Sequence, residues 1–179
     1  MSVKPYNGKL KGEPVWNNSK REIAKELLAK EDKHLFFCIE RNMNSNQVCY
    51  YLNMKDGKVD EKNPISVEWI MWEKGAKGEV REGLTFIENN TAYGITCTPA
   101  KDGYTLVISS LKKSPMHVSV NLETKEVAAL IEIEGKKAQL LRVFAHAVKG
   151  WTGLPSVEYC DWILKFEGSD KEEHRRVCP

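Results

Sequence analysis

The sequence predicts a mainly β domain: an antiparallel up-and-down meander of about nine strands, closed as a barrel or a two-sheet sandwich, with one amphipathic helix ahead of it. Three observations carry that prediction. From His34 onward apolar residues recur with a period of two. The alternating runs are separated by short turn signals, at Asp102-Gly103, Lys113-Ser-Pro115, Glu123-Thr124 and Gly135-Lys136, which are too short for a crossover and so make neighbouring strands antiparallel. Helical periodicity is confined to a segment near the N-terminus and a short stretch in the middle of the chain. A flat sheet of this size would expose an apolar face and two edges, hence the expected closure.

Residues 1–18 mix Gly, Pro, Asn and Lys with isolated apolar side chains and read as an arm anchored by Trp16. Ser19-Lys-Arg-Glu22 has the form of a capping box, opening a helix over residues 19–30. Ile23, Leu27 and Leu28 form its apolar stripe, with Lys20, Arg21, Lys25 and Glu26 opposite. An isolated helix of this length is marginal in water, so it is expected to dock on its own domain, against a second apolar face containing Ile70 and Trp72.

Leu35 to Arg41 and Val48 to Met54 form a hairpin around Asn42-Met-Asn-Ser-Asn46, a loop of residues that tolerate left-handed backbone. Ile65 to Trp72 follows as a strand after Pro64. Val80, Leu84 and Ile87 break the alternation with helical spacing, so a short helix or ordered loop lies between Glu79 and Asn90. Strands resume at Tyr93–Cys97, Tyr104–Leu111, Met116–Leu122, Val127–Glu134, Lys137–Val148 and Val157–Phe166. One β domain over 31–167 and a charged tail over 168–179 complete the organisation.

A chain of 179 residues closes one core without staples. With 27 basic and 25 acidic residues and no element rich in Lys and Arg, nucleic acid is not an expected partner. No apolar run reaches membrane-spanning length and the N-terminus has no apolar signal region, so a cytoplasmic location is expected. The five cysteines are odd in number and lack Cys-x-x-Cys spacing, and the four histidines fall in four separate segments, so no disulfide framework, metal site or cofactor is expected.

The strings Leu35-Phe-Phe-Cys-Ile-Glu-Arg-Asn42, Asn46-Gln-Val-Cys-Tyr50, Asp56-Gly-Lys-Val-Asp60 and Asn63-Pro-Ile-Ser-Val-Glu-Trp-Ile70 resemble the core pattern of the domain-of-unknown-function family 4833. Ala92-Tyr-Gly94, Leu140-Leu-Arg-Val-Phe144 and Val157-Glu-Tyr159 extend the resemblance over about residues 34–167. It implies no activity and supplies no catalytic residues. Exported bacterial proteins occur in that family, and this chain departs from them in lacking a signal and in its longer arm and helix.

Alternation places Arg142 and His146 on one strand face with Phe144, and Arg41 at the end of another apolar face. A guanidinium on an apolar face needs a carboxylate or a bound anion. Arg41, Tyr50, Trp69, Tyr93, Arg142 and His146 are therefore candidate ligand-binding residues, alongside the possibility that each Arg pairs with a carboxylate such as Glu68 or Glu158. Trp72, Trp151 and Trp162 fall off the core face or beside turns and are candidates for a partner surface. No Gly-x-Ser-x-Gly elbow or phosphate-binding loop occurs. The expected function is a non-catalytic binding or assembly module. The alternatives are a carrier of an apolar or acidic amphipathic small molecule in a barrel cavity, and an unrecognised hydrolase assembled from distant residues.

Overall fold

The computed structural model describes residues 19–178, and of Ser19 the backbone alone. The expected arm, its Trp16 anchor and the Ser19 half of the capping box lie outside the described residues. The described elements are α1 (Ser19–Ala29), β1 (Lys33–Arg41), β2 (Asn44–Lys55), β3 (Lys58–Val59), β4 (Ile65–Ile70), β5 (Arg81–Glu82), α2 (Phe86–Thr91), β6 (Ile95–Ala100), β7 (Gly103–Ile108), β8 (Met116–Asn121), β9 (Glu126–Ile133), β10 (Lys136–Lys149), β11 (Pro155–Phe166) and β12 (Glu173–Val177).

The strands form one mixed sheet curled into a half-barrel, in the order β5-β4-β2-β1-β10-β9-β8-β7-β6, with β11 and β12 branching from β10. The expectation of a mainly β fold holds. The expectations of a closed barrel or sandwich and of purely antiparallel strands do not. β6 to β12 do run as a meander, each antiparallel to the next. The departure lies in β10, which is longer than its neighbour. Lys136–Gln139 pair with β9, and further along the strand Arg142–Ala145 pair in parallel with Cys38–Arg41 of β1. One strand thus serves three partners, and the sheet branches there without its end strands β5 and β6 pairing to close a barrel. Edge strand β6 carries Pro99, whose missing N–H is tolerated at an edge.

The inner face holds the larger core, including Phe37, Ile39, Val48, Tyr50, Trp69, Leu106, Leu140 and Trp162. The outer face is closed by α1, whose Ala24 and Leu28 pack on Leu35, Cys38, Cys49, Tyr51, Ile70 and Trp72. The docking on Ile70 and Trp72 is as the sequence predicts. Ile23 is a correction: at 39% exposure it lies beside the contact, while Ala24, expected on the same face, is fully buried.

The β1–β2 and β10–β11 pairings each carry two register shifts, those at Glu40/Arg41 and His146/Ala147 falling near the strand ends, and the two earlier ones decide which side chains face which way. One lies between Leu35 and Phe37, the other between Leu140 and Arg142. Each inserts an extra residue and reverses the phase of alternation beyond it. Leu140 therefore joins the inner core together with Val143 rather than Arg142. The charged tail contains β12, which pairs with β11 and buries Val177.

Candidate functional site

Four of the six candidate ligand residues meet on the inner face at the end of β1. The Arg41 guanidinium lies over the Trp69 ring, 4.9 Å from its centroid, and donates from Nη1 to the Tyr93 hydroxyl at 3.4 Å. Tyr93 meets Trp69 edge-on at 5.3 Å, and the Tyr50 hydroxyl donates to the Tyr93 carbonyl at 2.9 Å. Burial pushes the Tyr50 phenol well above its ordinary pKa and the Tyr93 phenol upward too, with Arg41 pulling Tyr93 the other way. No described carboxylate pairs with Arg41, and its buried Nε has no partner. A half-buried cation held by ring faces is a stable arrangement, because an aromatic face attracts a guanidinium without a counter-ion. The rings fill the space they surround: Phe37 lies 5.2 Å from Tyr50, and Tyr50 and Trp69 are almost fully buried.

Arg142 and His146 are elsewhere, on the outer face, because the bulge turns them away from Arg41. Arg142, 2% exposed, places Nη1 3.7 Å from Glu40. Glu40 accepts from Gln47 at 2.6 Å, and Gln47 accepts from the Trp72 indole N–H at 2.8 Å. His146 stacks on Tyr159 at 4.6 Å, and Arg176 covers the Tyr159 ring at 4.0 Å. Arg176 donates to both oxygens of the fully buried Asp161, at 2.7 and 2.9 Å, and His174 approaches one of them at 2.6 Å. The two candidate arginines therefore do not act on one ligand group. The His174–Asp161 pair is shared with a forked Arg176, which makes Asp161 the anchor of an ion-pair network.

Of the three candidate partner-surface tryptophans, two are corrected. Trp72 is 7% exposed beneath α1, and Trp162 is 3% exposed in the inner core. Trp151 is 99% exposed. It stands at the tip of the β10–β11 hairpin, where residues 151–158 are exposed without interruption. Val148, Leu154 and Val157 are exposed on the same ribbon. The tip is closed by a Gly150 N–H to Leu154 carbonyl bond of 2.8 Å and a Gly153 N–H to Gly150 carbonyl bond of 2.9 Å.

The base of the ribbon is clasped to the end of β1. Asn42 donates to the Ala147 carbonyl at 3.0 Å and accepts from its N–H at 2.7 Å. Exposed Met43 follows Asn42 directly, at the end of β1 that also carries Arg41. Exposed Phe86 and Ile87 lie at this end as well, on α2, which a Tyr93 N–H to Glu88 carbonyl bond ties to Tyr93. Sequence reasoning had Trp151 without the rest of the patch. A usable signal was present: residues 143–157 contain no acidic residue and one Lys, at position 149.

Among the described residues no helix is long and apolar enough to cross a membrane, and no group of three or more His, Cys, Asp or Glu converges on a common point. The family model of the domain of unknown function DUF4833 matches residues 37–177, most of the chain. No curated protein and no solved structure matches.

Proposed function

We propose, for a chain that belongs to the domain-of-unknown-function family DUF4833, that it is a non-catalytic binding module engaging a protein partner through the β10–β11 hairpin. The observation that carries this reading is the hairpin tip, with Trp151 99% and Leu154 70% exposed on a ribbon that has no acidic residue from position 148 to 157. Large aromatic and aliphatic side chains gathered at one projecting point are the usual energetic centre of a protein interface.

A protein suits the ribbon better than lipid hydrocarbon does. Among the described residues, the strand pairs of 148–149 and 155–157 run only across the hairpin, Val148 with Ser156, Lys149 with Pro155 and Val157 with Ala147, so their outer edges carry backbone groups without a strand partner. A protein strand can satisfy those groups by adding to the edge, whereas hydrocarbon leaves them without partners. The carrier reading draws less support, because the rings around Tyr50 and Trp69 pack on one another where a ligand would sit.

The test is a photo-crosslinking amino acid in place of Trp151 in cells that produce the protein. A discrete protein adduct is expected, and it should vanish when Leu154→Asp and Val157→Asp are added. Irradiation that yields no protein adduct, or adducts with lipid alone, would overturn the reading.

A further inference from the structure

A second feature, remote from the hairpin tip, has its own chemistry. A groove of about 450 Å³ opens between α1, the β8–β9 turn and the strands beneath. Arg21, Lys25, Lys125 and Lys165 line it, together with His34 and a single carboxylate, Glu126. Four full positive charges thus face one negative charge, on a chain whose net charge is only +2.

The cations come from three separate parts of the fold. Arg21 and Lys25 are one helical turn apart on α1 and share a side of it. Lys125 sits in a turn braced by Asn121, whose side-chain oxygen accepts from the N–H groups of Glu123 and Thr124 at 3.0 and 3.2 Å. Lys165 lies on β11 opposite Gln139 of β10. Burial holds the His34 imidazole below its ordinary pKa; Asp32 opposes that shift and Lys125 adds to it. The groove is floored by buried Leu35.

These charges are largely unpaired among the described residues. Among the described residues Lys25, Lys125 and Lys165 take part in no ion pair, and Arg21 has one, with its helix neighbour Glu22 at 3.2 Å. The buried Nε of Arg21 has no partner. Glu126 accepts from the Thr124 hydroxyl at 3.1 Å. Like charges gathered along one groove repel one another and raise the local positive potential, so the groove draws counter-ions. Its volume falls within the roughly 300–1,000 Å³ range of small-molecule sites, and guanidinium and ammonium groups together are the usual phosphate-binding set.

We infer that this groove binds a small anion bearing two or more linked phosphoryl groups. One phosphoryl would sit between Arg21 and Lys25 on the helix side, and the other would meet Lys125 and Lys165 across the groove.

Calorimetric titration of the full chain with inorganic pyrophosphate at about 50 mM salt, where screening is modest, tests the assignment. Saturable one-site binding is expected, weakened at least tenfold by Lys125→Glu and, separately, by Lys165→Glu, and unchanged by Lys62→Glu in a remote exposed loop. Adenosine diphosphate binding as tightly as pyrophosphate would support recognition of the diphosphate alone, and tighter binding would support recognition of a nucleotide by the same groups. Absence of saturable heat at millimolar pyrophosphate, or equal weakening by all three Lys→Glu changes, would overturn the inference.

Discussion

Asp161 shows how much depends on single side chains in this molecule. It is fully buried and accepts from Arg176, itself 8% exposed, and from His174. A buried carboxylate with such partners is stable only as a set, because removing one member strands a desolvated charge. Asp161→Ala is expected to cost about 3–5 kcal/mol, and Asp161→Asn less because it keeps acceptors for part of the fork. Urea denaturation of the two variants measures the difference, and equal losses would contradict the charge argument. A pH effect belongs to Glu31. Hydrogen bonding to Arg81, then to Lys33, lowers its pKa to about 2. The depressed value means that its stabilisation is fully present above about pH 4.5 and is lost as pH falls towards 2. Because the side chain is 41% exposed, solvent screening keeps its worth under about 1 kcal/mol. Wild type should therefore exceed Glu31→Gln slightly in urea midpoint at pH 6 and match it at pH 2. The same scale explains two misread tryptophans. Both obey alternation, Trp72 lying with Ile70 on the second apolar face and Trp162 with Leu164 on the inner one; what the partner-surface reading lacked was the covering of each face, by α1 and by the rest of the curled sheet.

Helix α1 is the element whose placement was most legible, since a short helix with one apolar side must dock and the second apolar face of β4 was visible beside it. What decides the fit is a glycine. Gly78 has φ +72° and lies against the helix: a Cβ there would stand 2.9 Å from Leu27 Cδ1 and 3.1 Å from the Trp72 ring. Gly78→Ala is expected to cost about 1–3 kcal/mol through overpacking together with left-handed strain. Adding Leu27→Ala should relieve the overpacking and leave the strain, so the double variant should lose less than the two single losses added together. Thermal unfolding of the three variants provides the comparison. Leu28→Ala, which empties a fully buried position, should cost about 2–5 kcal/mol in the same assay. α2 was less legible. The sequence reading placed a helix or loop between Glu79 and Asn90 without noticing Thr85-x-x-Glu88, the capping box that starts it at Phe86.

At the scale of the whole molecule, period-two alternation and short turns sufficed to read a β meander, because both are local. The parallel pairing of β1 with β10 joins residues about 100 positions apart and follows from no local pattern, so the opening of the half-barrel was not legible. The candidate site divides the same way. Arg41, Tyr50, Trp69 and Tyr93 converge because strand faces are predictable over a few residues, whereas Arg142 and His146 fall on the far side of a bulge. The half-barrel also separates two tasks, with a packed sheet for stability and a ribbon that extends beyond it. From Val148 to Glu158 the side chains are exposed apart from the turn residue Gly150, so they add little to the core. Replacing residues 149–155 by Asn-Gly would join the paired residues Val148 and Ser156 through a two-residue turn suited to a hairpin. The shortened protein is expected to keep its melting temperature within about 4 °C of wild type, the shift that roughly 1 kcal/mol would produce in a domain of this size. It should also keep pyrophosphate binding in the α1 groove while losing the photo-adduct, with the crosslinker now placed at Val157. A large drop in melting temperature, measured by calorimetry, would make the ribbon part of the folded core and remove the ground for reading it as a binding element.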